Sequence, residues 1–173
     1  MKYTPFLLLL FFLANFSCKK DGLTKETQKG ANTFSCKIDS KIFRPCYQSP
    51  IIGGVDIPAL DGGVNMIDGR RRAVVYANNQ CNNAGDAILL EISNLTGEGE
   101  YSLADSDNQA SYRDRYSYYY LSNYTRKGKI AITKDDETNK ILSGTFEFSA
   151  EDSTTNPGKI VEITSGRFDI SYK

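Results

Sequence analysis

The sequence predicts an all-β chain: a single antiparallel β-sandwich or barrel-like domain behind a signal peptide and a flexible tether. Three observations predict it. Apolar residues recur at a period near two over most of the chain after residue 32. Gly, Asn, Asp and Ser punctuate that pattern at short intervals. No stretch holds a helical period beyond two turns.

The elements follow in chain order. Lys2 and the apolar run Phe6 to Leu13 have the charge and length of a secretory signal, and the run is too short to span a bilayer. It ends at Ser17-Cys18, with Lys19, Lys20 and Asp21 directly behind. A cysteine at that seam is the acceptor for diacylglycerol in bacterial lipoproteins, and the small Ser17 suits the peptidase that cuts before it. Asn15 stands where a Leu is usual. Residues 1–17 are therefore expected to be a lipoprotein signal, and residues 18–31 the lipidated Cys18 and a polar tether, "KKDGLTKETQKGA". The β-domain is expected over residues 32–173.

Within it "TFSCKID" alternates, with Phe34, Cys36 and Ile38 on one face, and "SK" links it to "IFRP" as a hairpin. "RAVVYAN" and "AILLEIS" predict hydrophobic middle strands, and "GEGEYSL" starts another. "SYRDRYSYYYL" predicts one long Tyr-rich strand. "GKIAITK", "LSGTFEFSA", "KIVEIT" and "GRFDISY" close the chain as a meander, with "KDDETNK" and "TSG" as turns. Ile130 and Ile132, then Phe146, Phe148 and Ala150, then Phe168, Ile170 and Tyr172 share inward parities. Thr145, Glu147, Arg167, Asp169 and Ser171 are expected on the wet face. The Gly- and Pro-rich stretch from Pro50 to Asp68 predicts a long irregular loop.

Composition narrows the chemistry. The chain has 21 basic and 21 acidic residues and no His. That balance gives no electrostatic case for nucleic acid. The lack of His removes Ser-His-Asp and Cys-His catalysis and the commonest metal ligand. No cofactor and no metal site are expected. "DSDNQ" from Asp105 has alternating oxygen ligands but lacks the glycine and glutamate of a calcium loop, so it reads as a solvated loop. Arg70 to Arg72 reads as a solvated turn or strand edge, and Asp135-Asp136 as an exposed turn.

"GANTFSCKIDSKIF", "KILSGTFEFSAED" and "GKIVEITSGRFDISY" resemble segments of a family of uncharacterised lipoproteins from Bacteroidota. The resemblance covers the first and last thirds of the mature chain and leaves Pro45 to Asn123 unaligned. It implies a lipidated cysteine, a β fold and an outer-membrane location, at the cell surface or on the periplasmic face. It carries no catalytic residue. "CKKD" also resembles signals that route such lipoproteins to the surface.

Three cysteines remain for an oxidising compartment. Cys36 has inward parity and reads as a small buried hydrophobe. Cys46 and Cys81 sit at strand ends among polar residues and are expected to form a disulfide. In the Tyr-rich stretch, Tyr112, Tyr116, Tyr118 and Tyr120 share one parity. They are expected to face the core; the rival reading is an exposed aromatic platform stacking on sugar rings. Function is accordingly expected to be non-enzymatic: an envelope protein held to the membrane by its N-terminal lipid, binding an envelope protein or a glycan. A glycan-binding module using the tyrosine face is the first alternative. An Asp/Glu-only hydrolase, with two carboxylates facing across a cleft, is the second.

Overall fold

Eleven strands and no α-helix make up the described residues of the computed structural model, which are 22–48, 57–81, 85–104, 107–116, 119–121, 128–152 and 158–173. Every strand pairing is antiparallel, and an isolated parallel bridge joins Cys46 to Asn79. The sheet curls into a half-barrel.

The first hairpin joins β1 (Thr33–Ile38) to β2 (Lys41–Phe43). Asp39 and Ser40 both have positive φ, at 45° and 70°, which matches the two-residue turn whose twist suits a hairpin. A second such turn, Asp68-Gly69, joins β3 (Leu60–Ile67) to β4 (Arg70–Asn79). The expected irregular loop over Pro50 to Asp68 is thus corrected: its second half is a strand, and residues 49–56 lie outside the described residues. β5 (Asp86–Ile92), β6 (Gly99–Ser102), β7 (Asn108–Arg113), β8 (Tyr119–Leu121) and β9 (Gly128–Asp136) follow. β10 (Ile141–Asp152) and β11 (Ile160–Ser171) are the longest.

The order is β2-β1-β11-β10-β8-β7-β5-β4-β3, with β9 also beside β10 and β6 beside β9. β10 is where the sheet forks. Its residues 141–148 pair with β9, while Glu151 and Asp152 pair with β8. The meander expected for the closing segments therefore holds as β9-β10-β11; β3-β4-β5 forms a second one, and β6 pairs with β9 apart from the main strand order.

The "TSG" turn expected inside the last segment is instead a bulge within one strand. β11 runs unbroken, Ser165 has φ 53°, and the register shifts there against both β1 and β10. A bulge bends a strand and raises its twist. Here the bulged strand is β11, and the register of both its neighbours shifts at that level, which favours a curled sheet.

The core lies inside the curl. Ala73, Val75 and Ala77 of β4 and Ile88, Leu90 and Ile92 of β5 alternate inward. Phe146, Phe148 and Ala150 of β10 and Phe168, Ile170 and Tyr172 of the chain's end are also buried, with the parities the sequence predicts. Two cross-strand pairs fix the β10–β11 packing. Gly144 faces Phe168 and Gly166 faces Phe146, and each ring covers the glycine opposite it.

That close packing leaves no room for a methyl group. A Cβ on Gly144 would lie 2.5 Å from the Ala131 carbonyl oxygen and 2.8 Å from the Phe168 ring. The carbonyl belongs to the sheet and cannot swing away, so Gly144→Ala should destabilise by about 1–3 kcal/mol. Urea unfolding should show this as a lowered midpoint with an unchanged slope; an unchanged midpoint would refute the packing.

Candidate functional site

Residues 22–31 are not the free chain that composition predicts for the tether, whose residues 18–21 lie outside the described residues. Leu23 is buried, and the Thr24 amide donates to Ser35 Oγ at 3.0 Å. Arg167 donates to the Thr24 carbonyl, and Arg44 donates to the Gly22 carbonyl. Gln28 reaches the Thr133 carbonyl at 2.9 Å. Residues 22–31 thus form a strap across the outer face of the sheet.

Asp169 fastens it. Its carboxylate accepts hydrogen bonds from the Thr27 hydroxyl at 2.5 Å and from the amides of Lys29, Gly30 and Ala31 at 3.1, 2.8 and 3.1 Å. The Ser143 hydroxyl of β10 donates at 2.8 Å. Gly30, with φ 67°, allows the chain to wrap the carboxylate closely. Asp169 is 1 % exposed, so its placement on the wet face is corrected: the strap covers that face. Burial alone would push its pKa up, but the Thr27, Lys29, Ser143 and Ala31 donors outweigh burial and hold it down at about 2.

The strap begins at one end of the half-barrel, beside an open cleft of about 520 Å³. Lys41 and Ile42 of β2, Asp86 at the start of β5, and Tyr112, Arg115 and Tyr116 of the tyrosine segment help to line it. That segment is corrected from one long strand to a hairpin of β7 and β8, in which Tyr112 pairs with Tyr120. The Tyr116 amide donates to Asp114 Oδ1 in the intervening turn. Tyr112 and Tyr120 are buried as the parity predicts, their ring centroids 5.4 Å apart. Tyr116 is corrected from a core-facing ring: it sits in the turn after β7, where strand parity no longer applies, and is 67 % exposed, with the Arg115 guanidinium 5.2 Å from its ring. Tyr118 lies outside the described residues. Tyr112 donates to Asp86 at 2.9 Å, and burial, then the Asp86 charge, raise its pKa. The Lys159 ammonium lies 5.3 Å from the Tyr120 ring.

Cys46 and Cys81 form the expected disulfide, with Cα atoms 5.6 Å apart, on the rim beside Gly22. Cys36 is free and buried, and burial pushes its thiol up to about 12, which makes it unreactive. Cys18 lies outside the described residues. At the far end Arg71 donates twice to Asp135 at 2.8 Å and pairs with Glu137 at 3.0 Å, and Arg72 pairs with Glu91. Of the two readings, solvated turn or strand edge, the arginines take the strand and open β4, while Asp135 and Asp136 end β9 rather than standing in the turn. Among the described residues no group of three or more His, Cys, Asp or Glu side chains is placed to hold a metal ion. The cleft combines carboxylates, cations and an exposed ring.

The geometry defines an all-β half-barrel with a fastened N-terminal strap and a mixed-charge cleft at one end. The chain belongs to the family described as "Domain of unknown function (DUF6252)", whose model matches residues 70–169. The match runs from the start of β4 to Asp169 and takes in much of the middle that the resemblance leaves unaligned. No curated protein and no solved structure matches the chain.

Two outcomes follow from these contacts. Asp169 has a folded pKa of about 2 against an unfolded value near 3.9, so its stabilisation is present above pH ~4 and is lost as the pH falls toward 2. Urea unfolding at pH 6 and pH 3 should show a steeper loss in the wild type than in Asp169→Asn; equal pH dependence would remove the carboxylate from the strap's support. In the tyrosine hairpin, Tyr120→Ala should cost about 3 kcal/mol or more, whereas Tyr116→Ala should stay within about 0.5 kcal/mol. Matching urea midpoints for the two variants would contradict the burial difference.

Proposed function

We propose that the protein is a lipid-anchored envelope protein of the outer membrane, acting as a non-enzymatic interaction module. The observation that carries the reading is the position of the strap. Cys18, the residue the sequence marks for acylation, stands four positions before Gly22, where the chain joins the sheet. A lipid there would hold a folded domain through a short link. Two or three acyl chains anchor durably, because each buried methylene contributes roughly 0.8 kcal/mol. The glycan-binding alternative draws on stacked rings at the surface; among the described residues the tyrosine hairpin offers it Tyr116.

Growing cells on a palmitate analogue tests the anchor. The wild type should be tagged and should fractionate with membranes, and Cys18→Ala should lose the tag. Equal tagging of both proteins, or none of either, would defeat the reading.

A further inference from the structure

We propose that the cleft end of the half-barrel is its membrane-contacting surface, seated among phospholipid headgroups. The inference rests on the lipid-anchor reading and adds an orientation to it. The strap runs from this end, where Arg44 holds the Gly22 carbonyl, to the other, where Asn32 accepts from the Ser171 amide. Three residues separate Cys18 from Gly22, so an acylated Cys18 lies within about 14 Å of Gly22 even at full extension. β11 has 12 residues, which at strand rise is about 40 Å. A lipid on Cys18 therefore cannot bring the far end to the bilayer without laying the barrel on its side.

The distribution of exposed apolar side chains favours the end over the side. Ile42, Tyr47, Ile57, Tyr116 and Ile160 are 38–67 % exposed. All lie at the cleft end: Ile42 and Tyr116 line the cleft, the Tyr47 carbonyl lies 3.4 Å from Cys81 Sγ, the Ile57 carbonyl accepts from the side chain of Gln80 next to Cys81, and Ile160 starts β11. Met66 and Ile67 are the large exposed hydrophobics at the far end. Lys41, Arg44, Arg115 and Lys159 stand among the rim residues. Long basic side chains lay their stems along apolar surface and keep their charge at headgroup level, and tyrosine favours the same interface. Asp39 and Asp114 also line the cleft, so the contact is amphipathic rather than a basic patch seeking anionic lipid.

The test uses the full lipidated chain, purified from membranes and placed in vesicles of phosphatidylethanolamine and phosphatidylglycerol. Lys41→Cys and Tyr116→Cys at the cleft end, and Met66→Cys and Lys140→Cys at the far end, each receive a thiol-reactive fluorophore; the buried Cys36 and the bridged pair stay unlabelled. Lipids brominated near the headgroup should quench most of the emission at 41 and 116 and leave 66 and 140 bright. Quenching at the far end, equal quenching at both ends, or none at either, in protein whose acyl tag is confirmed, would overturn the orientation while leaving the anchor. Bright labels at 41 and 116 that become shielded only in intact cells would assign the end to a protein partner and overturn it too. Absence of the acyl tag from the wild type would remove both.

Discussion

The carboxylate of Asp169 is the contact on which the outer layer of this protein depends. A buried charge is costly unless its lone pairs are satisfied, and five donors satisfy this one. Four of them come from residues 27–31 and one from Ser143 of β10. The strap cannot leave without stranding the charge, and the charge would not be buried without the strap. Ser35 and Arg167 extend the attachment toward Gly22. The result is a polar cover on one face of a sheet whose other face is packed with phenylalanine.

Those two faces constrain each other through β11. Inward, Phe168 lies over Gly144 and Phe146 over Gly166. Outward, Asp169 and Arg167 hold the strap. Strand alternation sends neighbouring residues to opposite faces, so a one-residue slip of β11 would place Asp169 in the core and Phe168 under the strap. The bulge at Ser165 changes register within the same strand, and β1 and β10 both follow it. Curl, core register and strap position are therefore set together.

This interdependence explains what the sequence reveals and what it conceals. Period-two alternation marks β4, β5, β9, β10 and β11 because each has one apolar face. The Cys46–Cys81 pairing is readable because both residues close strands while Cys36 alternates inward. β3 is hidden because Gly62 and Gly63 occupy its middle; a Cβ on Gly62 would meet Ile170 at 2.7 Å. The turn that would have revealed it, Asp68-Gly69 between alternating segments, is a strong hairpin signal. The tyrosine hairpin hides because its turn residues, Asp114 to Tyr116, break no compositional pattern. Asp169 reads as a surface residue because alternation reports which face a side chain takes, not what later covers that face. Gly30 and Asn32, both at positive φ, are the local trace of the strap's path.

A strap and a tether differ in what an anchor can do. Fourteen free residues would behave as a flexible chain with an end-to-end distance of roughly 20 Å, and the domain would tumble above its anchor. With residues 22–31 fastened, three residues of sequence separate Cys18 from the first fastened residue, Gly22. Load applied at the N-terminus then passes through Gly22 and Arg44, along the strap, and into β10 and β11 at Asp169. These last two strands carry the Phe–Gly packing of the core. On the proposed anchor, the most tightly packed part of the fold is the part that bears on the membrane attachment. The disulfide sits on the same rim, tying the chain after β2 to the end of β4. A domain built this way is positioned by its attachment as well as held by it.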